Sequence, residues 1–240
     1  PPRSTRFPYT TLFRSRSGVF PSGTSSIAAN GIYDITSFAS VDVNVSGGGG
    51  DTSAEDGVIN RSISGAYTNS RVTSIGNHAF NYCTNLTAVS FPNVTVIGSN
   101  AFNYCTNLIT VSFPKATFIG MYAFNYCTSL TTVSFPNVTS IDIDAFYSCL
   151  NLTIASFPNV ISIGSYAFNS CINLTTVSFP KVTSIGSNAF NYCTNLTTVS
   201  FSNITSIGAN MFYKCTNLTT VSFPNVISIG NSAFYSCTNL

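Results

Sequence analysis

The stretch AFNYCTNLTAVSFPNVTVIG, Ala79 to Gly98, is followed at Ala101 to Gly120 by AFNYCTNLITVSFPKATFIG. The two share a frame of twenty-two residues, and the cysteines test it. Cys83, Cys105, Cys127, Cys149, Cys171, Cys193, Cys215 and Cys237 each lie twenty-two residues from the next. With Val72 as first position, complete units begin at Val72, Val94, Ala116, Val138, Val160, Val182 and Ile204, and a fifteen-residue remnant starts at Val226. A fixed period of this length marks an array of stacked supersecondary units, because one unit alone cannot bury its apolar face.

Two periodicities alternate within each unit. Leu86-Thr-Ala-Val89-Ser-Phe91 fits the strand pattern L-x-x-L-x-L, with Val89 and Phe91 directed inward and Ser90 outward, as a period of two requires. Ala79-Phe80-x-x-Cys83-x-x-Leu86 places apolar residues three and four apart, which predicts one or two turns of helix. Pro92 withholds a backbone donor and ends the strand, and Gly76 supplies a permissive backbone where the chain turns toward the helical segment. Stacking would pair each strand with its neighbours about 4.8 Å away and turn the apolar columns into ladders of Phe, Leu, Ile and Val.

The motif I-G-x-x-A-F-x-x-C-x-x-L, present in LTTVSFPKVTSIGSNAFNYCTNL from Leu174 to Leu196, resembles the BspA-like leucine-rich repeat family of bacterial and some protist surface proteins. The resemblance covers about residues 72 to 240. It implies an α/β repeat solenoid, right-handed and curved, with parallel strands on one face and short helical turns on the other. It also implies a role in adhesion to host proteins or other cells. Asp142 replaces the motif glycine in the fourth unit. Asp tolerates the left-handed region better than most residues, so a local defect is expected there and not a broken array.

The rest of the chain reads differently. The opening PPRSTRFPYTTLFRSRS lacks the apolar run of a secretion signal and resembles translated sequencing-adapter read-through, so residues 1–17 are set apart from the fold. Over residues 18–46, Val41, Val43 and Val45 alternate with polar residues, and Asn30-Gly31 is a hairpin-turn dipeptide, which together predict a small β-hairpin module. This stretch resembles a short segment of tail-associated and surface proteins of gut bacteria and their phages. A Gly-rich linker over 47–57 and an N-terminal cap over 58–71 lead into the array at residues 72–240, whose last unit stops at CTNL. Both ends have the look of assembly accidents, and the native protein is expected to be longer.

Composition excludes whole classes of activity. Of 240 residues, 44% are hydrophobic but only 7% are charged, against about 25% in an ordinary globular domain. Six Arg and five acids fall in residues 1–71, leaving Lys115, Lys181, Lys214, Asp142 and Asp144 beyond. Nucleic-acid binding would need clustered cations that the array lacks. No apolar run is long enough for a transmembrane helix, so no membrane insertion is expected. The only histidine, His78, lies three units from the two aspartates, about 14 Å along the axis, so no catalytic triad can form and no enzyme is expected.

The remaining candidates are columns. The cysteines follow an inward Phe by one turn, which favours buried free thiols over neighbouring disulfides or a metal ladder; no metal or other cofactor is implied. Asp142 and Asp144 read as a solvated pair in preference to a weak Ca²⁺ site. Tyr82, Tyr104, Tyr126 and Tyr192 form a partial stripe that either covers the outer turn or offers an aromatic contact strip. On the strand face, Thr110, Thr132, Thr176, Thr198 and Thr220 form one outward column, and Ser112, Ser134, Ser178, Ser200 and Ser222, with Ser90 and Ser156, the next. Short hydroxyl residues favour strands for their own sake, but extended solenoids also use such faces for docking. An ice-binding plane is remote, since curvature spoils a flat lattice match. The reading is a non-enzymatic protein of the cell surface, extracellular space or virion that binds an extracellular protein or glycan through this face, or else a structural spacer. Nothing in the pattern sets an oligomeric state.

Overall fold

The computed structural model describes residues 65–240. The segments set apart above at 1–17, 18–46 and 47–57, and the first part of the expected cap, lie outside the described residues.

Each twenty-two-residue step closes one coil and contributes two strands. The longer ones are β1 (Gly65–Thr68), β3 (Leu86–Ser90), β5 (Thr110–Ser112), β7 (Thr132–Ser134), β9 (Ile154–Ser156), β11 (Thr176–Ser178), β13 (Thr198–Ser200) and β15 (Thr220–Ser222). The shorter ones are β2 (Ser74–Ile75), β4 (Val96–Ile97), β6 (Phe118–Ile119), β8 (Ser140–Ile141), β10 (Ser162–Ile163), β12 (Ser184–Ile185), β14 (Ser206–Ile207) and β16 (Ser228–Ile229). All pairings are parallel and, apart from a register shift that sets Gly65 opposite Leu86, join residues one unit apart, as in Val89 with Val111, Val133 with Ala155 and Ile75 with Ile97. The longer strands carry the expected alternation: Val133 and Val199 are buried between exposed hydroxyl residues. The two-residue ladder was not anticipated, because a run that short leaves no periodicity to read.

The core is a set of columns. Phe102, Phe124, Phe146 and Phe168 are wholly buried and lie ring on ring, with centroids 5.2 Å apart between successive rings and planes within 5°. A second column, Phe91, Phe113, Phe135 and Phe157, meets the first obliquely, as in the 63° between Phe146 and Phe157. Burying each ring contributes about 1.5–3 kcal/mol, and each favourable ring pair adds about 0.5–1.5 kcal/mol.

The expected helical turns are absent among the described residues. His78 (φ 59°) and Tyr82 (φ 60°) both occupy the left-handed region, and the same pair of positions does so in every coil as far as Ser232 and Ser236. A left-handed residue every fourth position resets the chain direction before a helix can propagate. The N–H groups of Ala79, Asn81 and Cys83 therefore close tight turns onto Gly76, His78 and Phe80. Those of His78, Phe80 and Tyr82 donate to Ser99, Ala101 and Asn103 of the next coil at 2.9, 2.7 and 2.8 Å. Each left-handed residue costs about 1–2 kcal/mol. Three inter-coil hydrogen bonds, at about 0.5–1.5 kcal/mol each, offset much of that, and Phe80 burial adds to them. The fold is thus an all-β solenoid, and the three-and-four spacing that suggested helix is met by stacked turns.

The glycine column also has a different cause from the one expected. Among the described residues Gly65 is the one glycine with positive φ, so the repeat glycines are not there for left-handed geometry. They are there for space: a Cβ on Gly98 would lie 2.7 Å from the Asn77 nitrogen, and one on Gly164 would lie 2.6 Å from the Asp142 carbonyl carbon. Asp142 is likewise not left-handed, and its N–H donates to Ile119 O at 3.0 Å as Gly120 donates to Ile97 O at 2.9 Å. β8 pairs on both sides, so the local defect expected there does not occur.

The irregularities fall elsewhere. The longer ladder lapses between β5 and β7, and both ladders lapse together at one step, between β11 and β13 and between β12 and β14. Met211 there replaces the alanine of the repeat and is fully buried. The nearest atom to a Cβ on Gly208 is at 3.2 Å, against 2.6 Å at Gly230 and a still closer approach, to the Ser165 nitrogen, at Gly186. The larger side chain marks this step, across which the turn ladder, with Phe190 N–H on Met211 O at 3.0 Å, and the side-chain bonds of Cys215 to Phe190 O and Asn203 to Pro180 O still hold.

Candidate binding surfaces

Strand geometry positions the hydroxyl columns. Thr110, Ser112, Thr132, Ser134, Thr176, Ser178, Thr198, Ser200, Thr220 and Ser222 are all exposed. The register sets Thr198 beside Thr220, Ser200 beside Ser222, and Ser134, Ser156 and Ser178 in one row. Ile154 stands between Thr132 and Thr176 and interrupts the threonine row with an exposed apolar side chain. Flanking threonines are already engaged: Thr153 and Thr175 donate their hydroxyls to carbonyls of the preceding coil at 3.0 and 3.1 Å.

On the opposite arc, Tyr82 and Tyr104 stack at 4.8 Å and 5°, and Tyr104 and Tyr126 at 4.6 Å and 11°. Tyr147 continues this row from the neighbouring column at 5.6 Å, and Tyr192, Tyr213 and Tyr235 form a second row. The sequence carries a signal for the added rings. Where the Tyr column lapses to Ser148, Lys214 or Ser236, the residue before it changes from Asn to Tyr. Only the coil with Asn169 and Ser170 has neither, and it separates the rows. Lys214 Nζ lies 4.8 Å from the Tyr192 ring centroid and donates to its hydroxyl at 3.1 Å, which holds the ammonium above its ordinary pKa.

The cysteines point inward. Seven of them, Cys105 to Cys237, are free thiols, and each donates to a phenylalanine carbonyl of the preceding coil, from Cys105 on Phe80 at 3.0 Å to Cys237 on Phe212 at 3.0 Å. Burial pushes the Cys171 thiol up to about 12 and those of Cys127, Cys149 and Cys193 well above the ordinary value. Raised this far, the buried thiols are neither nucleophiles nor ready metal ligands. Among the described residues, no group of three His, Cys, Asp or Glu side chains converges. His78 and Asp144 share a column but stand three coils apart, about 14 Å. Asp144 is half-buried, which raises its pKa, and the Tyr122 hydroxyl that donates to it acts in the opposite sense. Among the described residues, no helix is long and apolar enough to cross a membrane.

Comparison with known proteins agrees with this architecture. The family described as BspA type leucine rich repeat region matches in six copies, over residues 15–129, 59–161 and 117–240. A leucine-rich repeat protein from Bacteroides ovatus has 28% identity and a TM-score of 0.55 over 71% of this chain and 51% of its own. The chain thus spans about half the length of that relative. The Treponema pallidum leucine rich repeat protein matches with 28% identity and a TM-score of 0.54, over 73% of this chain and 77% of its own. A leucine rich cell surface protein from Faecalibacterium prausnitzii has 28% identity and a TM-score of 0.51, over 70% and 66%. No curated protein sequence matches.

Proposed function

Because the chain belongs to the BspA-type leucine-rich repeat family, we propose that it is a non-enzymatic, surface-located binding protein whose strand face docks an extracellular protein or glycan. The observation that carries this reading is the register of the hydroxyl columns. Thr198 with Thr220 and Ser200 with Ser222 present uncharged donors and acceptors at strand spacing on two paired strands. Such a face suits a partner recognised by many weak polar contacts spread along several coils, as extended solenoids commonly use. A surface location is supported by the solved relative described as a cell surface protein. The absence of catalysis is supported by the inventory: beyond residue 71 the candidate acids and bases are His78, Asp142 and Asp144.

The experiment is an array screen of the full chain against matrix proteins and glycans, paired with a variant carrying Thr132→Lys, Thr176→Lys and Thr198→Lys. Saturable binding to a member of the array, lost in the variant while circular dichroism is unchanged, supports the assignment. Binding that survives the three changes moves the site off the strand face. No binding at all favours a spacer that holds other parts of a larger protein apart.

A further inference from the structure

The eight coils are copies of one another, so each outward position has built-in controls. Two adjacent turn-face columns are polar in four of the eight coils, Asn77-His78, Ser99-Asn100, Ser187-Asn188 and Asn231-Ser232, and small in a fifth, Ala209-Asn210. In three consecutive coils they change character, to Met121-Tyr122, Ile143-Asp144 and Ser165-Tyr166. In the middle coil Asp142 also replaces the repeat glycine. These are neighbours in space, because Tyr122 N–H donates to Ile143 O at 3.0 Å and Asp144 N–H to Ser165 O at 3.1 Å.

The result is a patch unlike the rest of the turn face. Ile143 is 37% exposed and Tyr166 41% exposed, with partly exposed Met121 and Tyr122 beside them. Aromatic residues and Met are enriched at protein interfaces over other surface. Asp142 and Asp144 are the sole acidic side chains among the described residues, and both flank Ile143. Asp142 Oδ1 accepts from Ile143 N–H at 2.7 Å, so that carboxylate is held beside the isoleucine. Nothing in the core calls for these changes. The Phe column runs through these coils unaltered, with Phe124 to Phe146 and Phe146 to Phe168 both at 5.2 Å.

We propose that Met121, Tyr122, Asp142, Ile143, Asp144 and Tyr166 form a second docking surface, separate from the strand face, whose occupant is a protein segment carrying an apolar or aromatic side chain next to Lys or Arg. Charge commits the occupant. The remaining ionisable side chains of the described chain are cationic or neutral, so the two carboxylates are its one anionic side-chain site, and the exposed isoleucine and tyrosine supply the apolar seat. This inference does not depend on what the strand face binds.

Selection from a random-peptide phage library against the immobilised full chain tests it. Peptides retained by the wild type should be enriched in Lys or Arg beside Leu, Ile, Phe or Trp, and should bind more weakly as salt rises. Affinity should fall at least about tenfold with Asp142→Asn/Asp144→Asn and, separately, with Ile143→Ser, which restores a side chain the repeat uses elsewhere. Asn231→Ser, exposed in the same column three coils beyond Ser165, should leave affinity unchanged. The proposal is overturned if no sequence is enriched, if the enriched peptides carry no positive charge, or if they bind both patch variants as well as wild type. It is also overturned if Ca²⁺ alone saturates the two aspartates and peptide retention follows Ca²⁺ and not peptide charge.

Discussion

The Cys171 thiol donates to the carbonyl oxygen of Phe146, one coil below it, at 3.2 Å. The same link recurs between Cys149 and Phe124 and between Cys193 and Phe168, so the cysteine column works as a line of weak inter-coil donors as well as small apolar filling. Its consequence is a stability that depends on alkaline pH. Burial raises the Cys171 pKa from 9.0 to about 12, so above pH 9 the unfolded chain releases a proton that the folded chain retains. The stabilisation is complete below pH 9 and is lost as pH rises toward 12. Urea midpoints measured under reducing conditions should therefore fall between about pH 9 and 11, and Cys171→Ala should flatten that slope. A midpoint independent of pH over this range contradicts the buried, protonated column.

The phenylalanine column sets the mechanical core. Phe146→Ala removes a wholly buried ring stacked on both sides and should cost about 3–5 kcal/mol in denaturant unfolding. Ser178→Lys on the exposed strand face should stay within about 0.5 kcal/mol. Equal effects of the two changes would mean that the inward and outward assignments are wrong.

Glycine suits the close approach of coils, although the coil of Asp142 accommodates a Cβ in the same column, and the approach is uneven. Gly164→Ala drives a methyl group against the Asp142 and Ile143 backbone and should cost about 1–3 kcal/mol, the usual range for overpacking. Gly208→Ala, where the nearest atoms are at 3.2–3.3 Å, should cost clearly less. Thermal denaturation of the two variants side by side gives the comparison, and the reverse order would contradict the close-approach explanation.

Met211→Ala restores the residue of the repeat at the one step where both ladders lapse. The coils are then free to close, so the loss should fall below the about 2–5 kcal/mol of an ordinary core Met→Ala change. Hydrogen exchange at Thr205 and Gly208, whose counterparts Thr183 and Gly186 donate to the preceding coil, should slow as β12 and β14 pair. Unchanged exchange there would separate the seam from the side chain.

Much of this was legible in the sequence because the repeat frame does the averaging. Phe80, Cys83, Leu86, Val89 and Phe91 recur at the same offsets, so the columns, their burial and the parallel strands follow from period alone. The turn face was not legible, because residues three and four apart serve a helix and a string of turns equally. What decides between them is the left-handed backbone at positions such as His78 and Tyr82, and tyrosine carries no clear mark of that geometry. Glycine misled in the opposite way: Gly98 and Gly164 answer to a neighbouring coil twenty-two residues away, which local reading takes for local freedom. The exposure of the strand-face threonines and serines followed from alternation, whereas the tyrosine rows needed the exchange of Asn81 for Tyr147 to be seen in three dimensions.

Every surface assigned above depends on coils stacked in register at a strand-like pitch. Spin labels on genetically encoded side chains at Ser90 and Ser222, six units apart in one row, read that pitch directly by pulsed electron resonance. At about 4.8 Å per coil a narrow distribution centred near about 29 Å is expected. A broad distribution with no preferred separation would show that the units do not stack in register, and the account would fail with it.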